Sequence, residues 1–175
     1  EYTKTKKKTG MAAIYLREGD SLAAVSLIKE EDLVIVTHLG NSIKFNSNEI
    51  AATSRATIGI KGISLNADDY VIAALPIRDT KDELALFSEN GLGKRLKLTE
   101  LPIQKRGGKG SYAYKPTPIS GSINAATLVM DEDTILIVGN NTSICLSAAD
   151  IPTLGKASIG NQLIKDSKIV SVTKV

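Results

Sequence analysis

The sequence predicts an all-β fold assembled from propeller-type repeats of about 50 residues, and three observations carry that prediction. Four glycines, Gly10, Gly59, Gly110 and Gly160, anchor matching segments and lie 49, 51 and 50 residues apart. The residues between them form short apolar runs rich in Val, Ile and Leu, each closed by turn residues. Nowhere do apolar residues recur at helical spacing through several turns with caps at both ends.

Each element follows from the same plan. The opening copy of the anchored segment is Lys7-Lys8-Thr9-Gly10-Met11-Ala12-Ala13-Ile14-Tyr15-Leu16. Next comes a strand, Asp32-Leu33-Val34-Ile35-Val36-Thr37, then a turn at Leu39-Gly40-Asn41 and a returning strand through Ser42-Ile43-Lys44-Phe45. The second anchored segment is Thr57-Ile58-Gly59-Ile60-Lys61-Gly62-Ile63-Ser64-Leu65. The hairpin recurs as Asp82-Glu83-Leu84-Ala85-Leu86-Phe87-Ser88, Asn90-Gly91-Leu92 and Lys94-Arg95-Leu96-Lys97-Leu98. Its Asn90-Gly91 pair tolerates the positive φ that a tight hairpin requires. A third anchored segment, Gly108-Lys109-Gly110-Ser111-Tyr112-Ala113-Tyr114, leads to the hairpin Asp133–Val138, Gly139-Asn140-Asn141 and Ser143–Leu146. Ser158-Ile159-Gly160-Asn161-Gln162-Leu163-Ile164 is the last copy. Glu49–Ala52 and Ser147–Ile151 have room for one helical turn each.

A unit of about four short strands cannot bury both faces of its small sheet, so units must stack on their neighbours. The expected divisions are a partial blade over 1–28, a blade over 29–78, a blade over 79–129 and a last blade over 130–175. An incomplete set of blades, as in a piece of a longer chain, is expected. With 175 residues, 42% hydrophobic and 23% charged, the composition is that of a soluble globular protein. No apolar stretch is long enough to span a bilayer, and Glu1–Lys8 has no signal-peptide character. One cysteine, Cys145, and one histidine, His38, exclude a disulfide framework, a cysteine-rich zinc site and the usual triads. We expect no metal site and no catalytic residue.

Charge is small in total and uneven. The net charge is +3, yet the window from Lys94 to Lys115 holds seven basic residues and one acid. Lys4, Lys6, Lys7 and Lys8 form a second basic knot. A localised positive site on an otherwise mildly acidic protein suits a polyanion. Within the window, Gln104-Lys105-Arg106-Gly107-Gly108-Lys109-Gly110 interleaves three cations with three glycines. Glycine lets the backbone approach a phosphate closely, so N–H groups can join the Lys and Arg contacts. The matching places, Ser54-Arg55-Ala56-Thr57-Ile58-Gly59 and Gly155-Lys156-Ala157-Ser158-Ile159-Gly160, keep one cation each.

Gln104–Gly110 resembles the gyrase A box, the heptapeptide Gln-Arg-Arg-Gly-Gly-Lys-Gly of the DNA gyrase A C-terminal domain, with Lys105 the one, conservative, departure. Asn90–Glu100 is similar to that family's Asn-Gly-Tyr-Gly-Lys-Arg hairpin, and Arg55–Leu65 to its degenerate repeats. The resemblance implies a β-pinwheel, a propeller-like disc whose blades exchange a strand and whose rim binds and bends duplex DNA. It implies the C-terminal DNA-binding domain of the A subunit of an ATP-dependent bacterial type II topoisomerase, cytoplasmic and nucleoid-associated. Its partners would be double-stranded DNA, the cleavage core of the same polypeptide and the ATPase-bearing B subunit of a heterotetramer. ATP and Mg²⁺ would be used by the parent enzyme, with no cofactor in this piece. About one unit follows the box and more than one precedes it, an order more similar to the A subunit of topoisomerase IV than to that of gyrase. The intact box argues the other way; the order favours the topoisomerase IV type.

Sequence-independent phosphate binding is then expected from Gln104, Lys105, Arg106, Gly107, Gly108, Lys109 and Gly110. Lys94, Arg95 and Lys97 would add to it, with Arg55, Lys61 and Lys44 extending the path and Lys7 and Lys8 continuing it. The DNA so curved would be presented as the transported segment during supercoil change or decatenation. His38 is expected as a plain surface or turn residue, Cys145 in an apolar core, and Asp131-Glu132-Asp133 in a polar turn. Tyr112 and Tyr114 are expected to pack between blades. Gly91–Arg95 lacks the spacing of a nucleotide-binding loop. A propeller used as a protein-interaction scaffold is the alternative reading; it predicts a rim of apolar or mixed charge.

Overall fold

The computed structural model describes residues 11–54 and 57–175. Lys4, Lys6, Lys7, Lys8 and Arg55 lie outside the described residues, and so do the expectations attached to them. Among the described residues, eleven strands form three sheets. The first is ordered β3(Val71–Pro76)-β1(Asp32–Thr37)-β2(Asn41–Asn46)-β6(Ser111–Tyr112). The second is β7(Ile123–Val129)-β4(Glu83–Ser88)-β5(Leu92–Lys97)-β10(Asn161–Gln162), and the third is β11(Ile169–Lys174)-β8(Thr134–Gly139)-β9(Ser143–Ser147). Every paired strand is antiparallel, with Ile35 opposite Ile43, Ala85 opposite Arg95 and Leu136 opposite Cys145.

Those registers align the repeat at single-residue resolution. Ile43, Lys94 and Ile144 are equivalent, and so are Lys44, Arg95 and Cys145. The fourth strand of each complete sheet comes from the following unit: Ser111 pairs with Ser42, and Asn161 pairs with Gly93. This strand exchange makes the fold a β-pinwheel with an incomplete set of blades. The strand β3 lies against β7, and β7 against β11, so these strands meet at the shared side of the three sheets. The borrowed strands β6 and β10 form the opposite edges.

Burial on both faces explains why β4 reads as an unbroken apolar run. Leu84 and Leu86 pack toward the first sheet with Val34, Val36 and Ala73, while Ala85 and Phe87 pack toward the third with Ile135 and Ile137. All four β4 residues are fully buried. Three short 3-10 turns, Ser47–Glu49, Leu98–Glu100 and Ala148–Asp150, follow the second hairpin strand of each unit. Two were expected nearby; the turn at Leu98–Glu100 was not, because Leu98 reads as the end of the strand. Residues 11–30 form no strand, and Leu22, Val25 and Leu27 are exposed.

One expectation about a single residue fails. Cys145 is exposed rather than in the core, because it occupies the face of β9 opposite Ile144 and Leu146. His38 is half-buried: its Nδ1 lies 2.9 Å from the Ile123 carbonyl, and its ring stacks on Tyr70 at 4.6 Å. It helps join the first sheet to the second. The acidic run is a polar turn, with Asp131 paired to Arg95 and Asp133 paired to Lys174.

Candidate nucleic-acid interface

After β5 the chain crosses from the second sheet to the edge of the first, and the cation-glycine loop 104–110 is that crossing. The loop therefore docks on the sheet of the preceding unit. Its docking is backbone-driven. Gln104 donates its N–H to the Lys44 carbonyl at 2.8 Å, Gly107 donates to Gly62 at 2.8 Å, and Ser64 donates to Gly108 at 2.8 Å. The Ser64 hydroxyl donates to the Gly107 carbonyl at 2.7 Å. Gly110 has φ +71°, and a Cβ there would lie 2.2 Å from the Ser42 carbonyl oxygen. Only glycine fits both demands, and Gly160 repeats them, with φ +87° and a Cβ that would lie 2.3 Å from the Gly93 carbonyl oxygen.

Lys105 and Lys109 are exposed, and neither forms an ion pair among the described residues. Arg106 is half-buried and acts partly as a clamp. Its N–H donates to Glu49 Oε2 and its Nε to the Glu49 carbonyl, both at 3.0 Å, and Nη1 donates to the Lys61 carbonyl. Lys61 is exposed beside this clamp. Lys44 is half-buried; its Nζ donates to the Leu98 carbonyl at 2.7 Å. Burial lowers the Lys44 pKa, with Asp32 opposing the shift. Lys97 is exposed at the residue where the crossing begins. The exposed ammonium groups of Lys61, Lys97, Lys105 and Lys109 thus line one crossing, around an ordered turn that Lys44 and Arg106 help to hold.

Lys94 and Arg95 are elsewhere. The expectation that they share the rim is corrected by their burial: Lys94 is 0% exposed and Arg95 is 8% exposed. They stand at repeat positions that face the two neighbouring sheets. The Lys94 ammonium donates to the carbonyls of Gly155 at 2.9 Å and Lys156 at 3.1 Å, and lies 5.4 Å from the Tyr114 ring centroid. Burial pushes its pKa down to about 8, against a smaller opposing pull from Glu100. Arg95 donates from Nε to the Ile151 carbonyl at 2.8 Å and pairs with Asp131 and Glu83. In sequence the two are indistinguishable from solvated cations, because strand alternation alone does not say that both faces are covered.

Tyr114 is buried, as expected for packing between blades, whereas Tyr112 is exposed on β6. Sequence reasoning missed Glu49 and Ser64, which hold the loop through contacts 57 and 43 residues away in the chain. No local signal marks either one. Among the described residues no group of three or more His, Cys, Asp or Glu side chains gathers to hold a metal. No helix there is long and apolar enough to cross a membrane.

The family model described as "DNA gyrase C-terminal domain, beta-propeller" matches residues 1–29, 31–78 and 82–114. The DNA gyrase A subunit of Helicobacter pylori (strain ATCC 700392 / 26695) is 36% identical over 162 residues, 90% of this chain and 20% of that protein. The DNA gyrase A subunit of Staphylococcus epidermidis (strain ATCC 12228 / FDA PCI 1200) is 37% identical over 175 residues, 96% of this chain and 20% of that protein. The chain thus spans about 20% of these relatives. A solved DNA gyrase A C-terminal domain superposes with TM-score 0.87 at 30% identity, covering 95% of this chain and 58% of that one. The C-terminal domain of a DNA topoisomerase IV superposes with TM-score 0.93 at 23% identity, covering 99% and 56%, a likeness of fold.

Proposed function

This chain belongs to the DNA gyrase C-terminal domain family, and from that membership we propose that it binds duplex DNA through its phosphates. The observation that supports this most is the crossing itself: Lys105 and Lys109 exposed on a loop held by seven backbone and side-chain hydrogen bonds to its neighbours. An ordered loop presents its charges without the entropy cost of fixing a mobile segment on contact. Each phosphate neutralised releases condensed counterions, which gives affinity without reading sequence. Lys61, Lys97 and Lys44 extend the contact line, and Arg106 contributes chiefly by shaping the turn.

DNA that follows cations along successive sheet edges must curve. Smooth bending through 40–90° costs on the order of 1–6 kcal/mol, which several phosphate contacts offset. In the parent enzyme the curved segment would be delivered to the cleavage core of the same polypeptide, with ATP and Mg²⁺ used there and in an ATPase-bearing B subunit. The setting is the bacterial cytoplasm, close to the nucleoid. The parent is read as an A subunit of the topoisomerase IV or gyrase type, and the relatives at 36% and 37% identity are gyrase proteins. The scaffold alternative is disfavoured by the unpaired ammonium groups on the crossing.

The test is replacement of Lys105 and Lys109 by Ala, with affinity for a mixed-sequence duplex measured across salt concentration. We expect weaker binding and a log–log salt slope reduced by about 0.9 for each lost phosphate contact. Wild-type affinity and slope in this variant would remove the loop from the interface.

A further inference from the structure

At one repeat position the middle unit breaks the pattern of its neighbours. Ile43 packs in one cluster with Ile63, and Ile144 packs in another with Ile164. In the second sheet the equivalent pair is Lys94 and Tyr114. Both are buried, 0% and 1% exposed. An apolar pair is replaced by a cation and a phenol in the sheet that has a described neighbour on each face.

Both polar groups act on the same target. The Lys94 ammonium donates to the Gly155 and Lys156 carbonyls, and the Tyr114 hydroxyl donates to the Ile159 carbonyl at 3.1 Å. These carbonyls belong to the loop 155–160, the counterpart of 105–110 one unit later. It crosses to the edge of the second sheet in the same way, with Leu154 donating to the Arg95 carbonyl at 2.9 Å and Ser158 to Gly155 at 3.1 Å. Lys156 stands where the first loop has Arg106. Unlike Arg106, its side chain forms no hydrogen bond or ion pair among the described residues.

We propose that Lys94 and Tyr114 are positioning residues that fix the 155–160 loop as a second phosphate-binding crossing, with Lys156 as its contacting cation. The proposal rests on the DNA-binding reading above. A buried ammonium under two carbonyls orders the loop, because leaving those groups unpaired in a dry site is costly. In the first sheet Arg106 reaches from the loop outward to Glu49 and Lys61; in the second, Lys94 reaches up from the strand beneath. The second arrangement leaves the loop's own cation free. Tyr114 also lies four residues after Gly110, so the same side chain ties the first crossing to the second.

The experiment uses the full chain and a mixed-sequence linear duplex. Lys94→Ile with Tyr114→Ile installs the pair that the other two units carry, so the fold is expected to persist; circular dichroism and thermal melting check it. Lys156→Ala removes the proposed contact alone. We expect each variant to weaken binding two- to five-fold and to lower the salt slope by about 0.9, the loss of one phosphate. Combining them should add little further loss, since both act on one contact. Additive losses, or a wild-type slope in the folded double-isoleucine variant, would overturn the positioning role. A wild-type slope in Lys156→Ala would overturn the second crossing while leaving the first reading intact. Failure of the Lys105 and Lys109 replacement is a separate result and bears on the first reading alone.

Discussion

Lys94 shows how one residue type changes meaning with burial. Its pKa is lowered to about 8 because the charged form loses its water, whereas an unfolded chain holds lysine near about 10.4. Between those values the unfolded state binds the extra proton, so folding stability contributed by this site rises with pH across the window and is flat below it. Chemical denaturation of wild type and Lys94→Met should therefore diverge from about pH 8 to pH 10. The difference is expected to move in favour of wild type by about 1–3 kcal/mol. Parallel pH profiles for the two chains would mean that Lys94 is not titrating in the fold. Arg95, one residue on, faces the opposite sheet, where Asp131, Glu83 and the Ile151 carbonyl hold it. Neither side chain is free to meet a phosphate.

The informative elements are the crossings. Each leaves its own hairpin, docks on the preceding sheet and adds a two-residue strand to its edge. The docking depends on a glycine whose Cα sits against the neighbouring strand. Gly110→Ala meets two obstacles at once, a positive φ and a Cβ 2.2 Å from the Ser42 carbonyl oxygen. Gly59 has φ +82° with none of the described residues within 4 Å of a Cβ built there, so among them Gly59→Ala meets only the first. We expect Gly110→Ala to lose at least about 1 kcal/mol more than Gly59→Ala, since strain at a positive φ is common to both. Amide exchange at Ser111 and Tyr112 should quicken in the first variant alone. Equal losses would show that close approach to Ser42 is not what selects glycine there.

Across the molecule, the sheets are stacked so that each crossing falls at an edge remote from the β3, β7 and β11 side. In the proposed reading, a duplex that meets the cations of both crossings bends to do so. Binding should therefore be coupled to curvature, and closure of nicked minicircles in the presence of the chain reports it. We expect ligated products shifted in linking number in the direction of positive writhe, with a smaller shift for the Lys105 and Lys109 replacement. An unshifted distribution at saturating protein would leave phosphate binding without bending.

The repeat was legible because it is a local pattern: glycine spacing, alternating apolar runs and turn dipeptides impose short strands wherever they are placed. The box was legible for a similar reason, since cations among glycines in six residues have few structural uses. What the sequence alone determined was thus the period, the β character and the position of one basic loop. Which cations reach solvent was decided only by tertiary structure. Lys94 and Lys97 lie three residues apart on one strand, yet one is sealed between sheets and the other begins a crossing. Strand exchange makes the difference: it lays the loop of the following unit over Lys94, and no pattern within the strand encodes what another unit will place on top of it.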